Sequence, residues 1–365
     1  MTGRGKVFAV CAGLGAVLAA VIVLGLLVGG GTGHAEPGGV DLSLGAALGV
    51  VRWKLLGLGE KPLDAQIYIV WQLRFPEVLL AAAVGAALAV SGAVFQTTLR
   101  NPLADPLLLG VAAGASLAAS IAIGLGACAG VVPAVAATAG AGGTLIFVFA
   151  VAGRQGRFDP GTMVLAGVVA STFYSAITLF LLAVSPNNSI AQILQWTMGS
   201  FADPGFAKLT WAGPILGVLC VASFFGARPL NLFVMGDDAA RSAGLAVGPA
   251  RVLLYAAGAS LTGVSVASAG VVGFVGLVVP HLARGLFGHD HRVSLPASAL
   301  LGASMCVLAD AIARVAIPLT QIVWASVVHG ETIQGSPAEL PVGVVTALFG
   351  APFFMVLLMR KRGTS

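Results

Sequence analysis

Charged residues are rare in this chain, so the positions of those present need a physical reason. Asp310 and Arg314 stand four residues apart in an apolar stretch, and on a helix that spacing puts both on one face. Either charge alone is costly in lipid. As a pair they can enter a membrane together, or Arg314 can sit at an outer mouth as a contact for a partner protein. Arg74 and Glu77 flank Pro76 where another apolar run begins, which reads as interfacial anchors or as half of a docking surface. A third set lies at 235–245, with Asp237 and Asp238 early, Ala239 and Ala240 next, Arg241 late, and Gly236 and Gly244 at the edges. Early acids, a late base and a closing glycine suit a short helix. Such a helix between two membrane halves is a linker, or the piece that a permease inserts into a cleft on an ATPase.

Enzymatic signatures are absent. No G-x-x-x-x-G-K-S/T phosphate loop occurs, and Gly5-Lys6 lacks both the upstream glycine and the hydroxyl residue. Neither a GxSxG elbow nor an HExxH pair is present. His289-Asp290-His291 falls in a short turn without a third ligand nearby, so it is expected to be a solvated loop rather than a metal site. Cys11, Cys128, Cys220 and Cys306 each stand alone among apolar residues and read as small core side chains. The expectation is a non-enzyme with no metal site and no cofactor of its own.

The elements that must position these residues are membrane helices. Of 365 residues, 58% are hydrophobic and 9% charged, where a soluble domain carries about 25% charged residues. Mean hydropathy is +0.99. Apolar runs such as 7–28 and 78–94 match the roughly 20 residues that cross a bilayer as helix, and no alternating strand pattern suggests a barrel. The 50 glycines let helix backbones approach closely. The chain therefore reads as one all-α polytopic domain with spans near 7–29, 76–98, 107–126, 131–152, 162–184, 207–226, 250–269, 271–287, 296–315 and 342–359. The first run is longer than a signal-peptide core and is read as a retained span.

Basic residues set the expected orientation. With the N-terminus inside, Arg4, Lys6, Arg100, Arg154, Arg157, Arg228, Arg241, Arg251, Arg284, Arg292, Arg360, Lys361 and Arg362 fall on the cytoplasmic side. Arg52, Lys54, Lys61, Arg74, Lys208 and Arg314 remain outside. An even number of spans puts both termini inside. The net charge of +5 reflects this bias and does not point to nucleic acid. Gly85, Gly92, Pro102 and Gly110 recur at the spacing of Gly263, Gly270, Pro280 and Gly288, in spans of opposite direction, as inverted halves of a transporter would.

Longer motifs carry a family likeness. Trp71-Gln72-Leu73-Arg74-Phe75-Pro76 is followed by Val84-Gly85-Ala86-Ala87-Leu88-Ala89-Val90-Ser91-Gly92, Gln96 and Asn101-Pro102-Leu103-Ala104-Asp105-Pro106. Gly273-Phe274-Val275-Gly276-Leu277-Val278-Val279-Pro280-His281, Leu308-Ala309-Asp310 with Arg314, and Glu339-Leu340-Pro341-Val342-Gly343 come later in the same order. In these the chain resembles the FecCD-type permeases of ABC importers for iron siderophores, haem and cobalamin, and some wording is similar to the cobalamin permease. The resemblance implies a homodimeric importer with its pathway on the two-fold axis. It also implies two copies of a cytoplasmic ATPase subunit that bind ATP and Mg, a periplasmic substrate-binding protein, and residence in a bacterial inner membrane. By the same resemblance, 236–244 is the coupling helix, Arg74 and Arg314 receive acidic residues of the binding protein, Asn101 and Leu103 form an inner gate, and Pro160-Gly161-Thr162 is a second gate element. Glu77 departs from the family, which usually has Arg there, so the docking surface is expected to differ. The segment 316–341 is longer than usual and is expected outside. The alternative from another class is an ion-coupled secondary transporter, for which Asp310 is the best carrier.

Overall fold

The structure is a computed structural model. It describes residues 3–28, 43–127, 131–152, 160–202, 205–327 and 340–362. Among them every regular element is a helix. First come α1 (Gly3–Leu27) and α2 (Leu44–Leu56). One unbroken rod follows: α3 (Asp64–Ile67), a π-helical stretch (Tyr68–Arg74) and α4 (Phe75–Thr98). A 3-10 turn (Pro106–Leu109) leads to α5 (Val111–Gly124), α6 (Val131–Ala152), α7 (Pro160–Val184), α8 (Asn187–Met198) and α9 (Ala207–Phe224). The rest are α10 (Ala227–Met235), α11 (Asp237–Ser242), α12 (Val247–Ala269), α13 (Val275–Phe287), α14 (His291–Val327) and α15 (Val342–Arg362). Among the described residues, seven helical segments are long and apolar enough to span a bilayer. Three shorter apolar helices, Val111–Gly124, Val275–Phe287 and Val342–Val356, stand where the remaining spans were expected.

Several boundaries differ from the sequence reading. The helix expected from 76 already begins at Asp64: Pro76 lies inside the rod, just after the π-helical stretch, and the Gln72 carbonyl four residues before it accepts the Gly205 N–H at 2.8 Å instead. The spans expected from 107 and 271 start later, at Val111 and Val275. Gly110 (φ 76°), Gly270 (φ 71°) and Phe274 (φ 66°) are left-handed, so no α-helix passes through them. The helix expected to end at 315 continues to Val327, so the 316–341 segment is in part an extension of α14. Residues 328–339 lie outside the described residues. Helices α2 and α8 were missed: each is short and broken by polar residues, so an apolar-run scan passes over them.

Helix α4 is the axis of the packing, with α9, α12, α13 and α14 against it. Glycine makes these approaches possible. A Cβ on Gly85 would stand 2.2 Å from the Gly302 carbonyl oxygen, and one on Gly92 would stand 1.9 Å from that of Gly276. The Ser91 hydroxyl, also on α4, donates to the Gly258 carbonyl at 2.7 Å and bonds Thr262 at 2.8 Å, tying α4 to α12. The inverted-repeat pattern has a packing counterpart. Helix α4 packs on α13 and α14, while α12 packs on α5 and α6. Gly85 meets α14 at Gly302, and its counterpart Gly263 meets α6, with Ala141 Cβ 3.0 Å from the position a Cβ would take.

Candidate functional site: two charged junctions at opposite ends of α4

The 24 residues of α4 make it about 36 Å long at 1.5 Å per residue. A cluster of charges sits at each end. At its start, Glu77 Oε2 lies 3.3 Å from Arg74 Nη1 and 3.9 Å from Arg314 Nη1. Arg314 Nη2 pairs with Asp310 Oδ2. Arg314 Nη1 also donates to the carbonyl oxygens of Gly25 at 2.9 Å and Val28 at 3.2 Å. Glu77, Asp310 and Arg314 are only 4%, 2% and 3% exposed. Burial on that scale is tolerable only when the charges compensate each other and are hydrogen-bonded. Two carboxylates and two guanidiniums do so here.

The Asp310–Arg314 helix pair is as expected from the sequence. Of the residues expected to form the docking surface, Glu77 and Arg314 are enclosed within the chain and Arg74 is largely so. The reversed charge at Glu77 is answered by this chain's own arginines. Sequence spacing could not show that 74, 77, 310 and 314 converge, since the two pairs are far apart in sequence.

At the other end, α4 closes with Arg100 in the left-handed region (φ 49°). The Asn101 N–H donates back to the Gln96 carbonyl at 3.1 Å, which is a Schellman-type closure with Arg in the place that usually takes Gly. A non-glycine residue there is strained by about 1 kcal/mol. The Arg100 side chain is tethered: Nε donates to the Phe233 carbonyl at 3.3 Å, and Nη2 pairs with Asp237. Asp237 also receives Arg251 Nη2 on both carboxylate oxygens, at 2.7 and 2.8 Å. The first residue of α11 thus joins the end of α4 to α12, and Arg100 carries the link to α10. Gly236 (φ 111°) and Gly244 (φ 82°) bend the chain sharply on either side. Further along α11, Asp238 and Arg241 form a 3.1 Å pair whose side chains are 99% and 62% exposed. Ala240 faces inward and is buried, while Ala239 is exposed.

The elbow after Arg100 is partly open. Asn101 is exposed and its Oδ1 accepts the Leu103 N–H at 2.9 Å; Leu103 is 38% exposed. Asp105 accepts the Leu107 N–H at 2.9 Å, but desolvation dominates and pushes its carboxyl up to about 6. Pro160, Gly161 and Thr162 form the first turn of α7 rather than a free turn.

The turn at 289–291 is not simply solvated. His291 is buried: its Nδ1 bonds Asn231 Oδ1 at 2.8 Å and its Nε2 bonds Thr97 Oγ1 at 2.8 Å, which joins α10, α4 and α14. The Arg292 N–H and the Asn231 amide hold the Asp290 carboxyl below its ordinary value. Among the described residues no three His, Cys, Asp or Glu side chains converge as metal ligands. Cys220 and Cys306 are buried and Cys11 is half-buried, all three as free thiols; Cys128 lies outside the described residues. The sequence reading missed the roles of Arg100, Arg251 and Asn231. Arg100 and Arg251 entered it only as members of the basic bias at helix ends, although an arginine directly after a buried span is a visible signal.

Residues 40–330 match the model of the FecCD transport family. The chain belongs to that family. This FecCD chain is 39% identical over 300 residues to the vitamin B12 import system permease protein BtuC of Klebsiella pneumoniae, covering 82% of this chain and 84% of that one. It is 35% identical over 339 residues to the hemin transport system permease protein HmuU of Yersinia pestis, covering 88% and 93%. Its fold matches a solved chain described as a metal-chelate type ABC transporter in an inward-facing conformation. The TM-score is 0.77 at 29% identity, covering 96% of this chain and 99% of that chain. The family read from the sequence motifs is the family found.

Proposed function

We propose that this FecCD chain is the membrane-spanning permease subunit of an ATP-driven importer, and that its cargo is a metal chelate of the cobalamin, haem or siderophore kind. It works as a homodimer in a bacterial inner membrane with both termini cytoplasmic. Two copies of a separate ATPase subunit, which bind ATP and Mg, seat on α11, and a substrate-binding protein docks on the opposite face. The chain itself contributes positioning, not catalysis.

The observation that supports this reading most directly is the double tether of Asp237. A helix that presents Asp238 and Arg241 outward is fixed through its first residue to Arg100 at the end of α4 and to Arg251 on α12. A push on α11 therefore reaches both repeat halves at once. Arg100 adjoins Asn101 and Leu103, so the same push reaches the elbow assigned as the inner gate. ATP binding by the partner subunits supplies the unequal stabilisation of two states that alternating access needs. A bulky chelate carries much of its own polar surface, so a smooth pathway with few buried charges suits it.

Uptake into proteoliposomes holding this chain, its ATPase and its binding protein tests the reading. Cobalamin, haem and a ferric siderophore are each offered with ATP inside. ATP-dependent accumulation of one of them is the expected result. Accumulation driven by an ion gradient without ATP would instead favour a secondary transporter.

A further inference from the structure

The end of α1 has few means of its own to hold its position. Residues 7–28 contain no charged side chain, and the last carbonyls of a helix have no partner within it. Arg314 reaches across from α14 to supply one. Its Nη1 donates to the carbonyl oxygens of Gly25 and Val28 at 2.9 and 3.2 Å, and lies 3.9 Å from Glu77 Oε2 at the start of α4. Its Nη2 pairs with Asp310 on its own helix, which aims the guanidinium. A cation at this position also answers the partial negative charge of a helix C-terminus. Side chains already pack tightly there: a Cβ on Gly25 would stand 3.0 Å from a Val307 methyl on α14 and 3.2 Å from a Val78 methyl on α4.

We propose that Arg314 is a positioning residue that caps α1 from α14 and, through Glu77, ties both to the start of α4, so that these three helix regions move as one body during transport. Asp310 pairs with one terminal nitrogen of the guanidinium and Glu77 lies 3.9 Å from the other. The inference concerns only contacts within this chain, so it stands whichever cargo is carried and whichever proteins dock.

The test is amide hydrogen exchange at 24–28 in the full-length chain in lipid nanodiscs, with variants accepted only if they elute as the wild type does. Arg314→Ala is expected to speed exchange there about tenfold, since exchange reports local opening. Arg314→Lys, which keeps the charge but not the forked geometry, is expected to fall between the two. Glu77→Gln, which keeps the shape and removes the charge, is expected to give a smaller rise, and it decides the matter if Arg314→Ala does not accumulate. Unchanged exchange in whichever of these variants assembles would overturn the proposal. Unchanged exchange together with lost affinity for the binding protein would return Arg314 to a docking role.

Discussion

The two ends of α4 solve the problem of holding charge beside a membrane helix in opposite ways. At the Arg314 end the charges are closed in: Glu77, Asp310 and Arg314 are nearly inaccessible and answer one another. At the Asp237 end the network is half open. Arg251 is 12% exposed, Asp237 28% and Arg100 47%, and beyond them Asp238 and Arg241 face outward. A closed network gives rigidity. An open one with a buried anchor can be pushed from outside and pass the push inward. The contacts proposed to hold α1 and the lever proposed to move α4 thus lie at opposite ends of one helix.

The sharpest way to break this contrast is Asp310→Ala. It leaves Arg314 buried without its principal carboxylate, and the expected loss is about 3–5 kcal/mol, seen as a large fall in Tm of the detergent-solubilised chain. Asp237→Ala at the other end should cost less, about 1–2 kcal/mol, because Arg100, its more exposed partner, can turn to solvent. ATP-dependent uptake should nonetheless fall at least as far as in any α11 surface variant.

Asp105, close to the open end, has a pKa raised to about 6 by burial. A carboxyl raised above its unfolded value destabilises the folded state in its charged form. That penalty is full above about pH 6 and disappears below the ordinary value of 3.8. Stability should therefore rise as pH falls through that window. Asp105→Asn should stabilise by about 1 kcal/mol at pH 7, a figure reduced for partial exposure, and should flatten the pH profile of Tm.

Arg100→Gly is expected to leave Tm nearly unchanged, since relief of the left-handed strain offsets the lost tether. Uptake should fall, because α11 then no longer reaches the elbow at Asn101. Smallest in stability is the exposed pair: Asp238→Ala with Arg241→Ala should not shift Tm measurably, while co-purification of the ATPase is lost. Retained co-purification and uptake in that double variant would remove α11 from the ATPase interface.

The helical, membrane-spanning class was legible from composition because lipid leaves little choice. A chain with so few charges and runs of about 20 apolar residues must satisfy its backbone within helices. The position of α11 was equally legible, since acids, a base and bounding glycines in that order specify a short helix locally. Family membership was legible in ordered motifs such as Asn101-Pro102-Leu103-Ala104-Asp105-Pro106. What only the tertiary structure decided were the long-range meetings: Glu77 with Arg314, Arg100 with Asp237, and His291 with Thr97. It also decided which charges are enclosed and which are offered. Local sequence specifies elements through spacing and backbone propensity. A charge's role depends on what lies opposite it, and here that residue is often more than a hundred positions away, brought near by glycine contacts at Gly85–Gly302 and Gly92–Gly276.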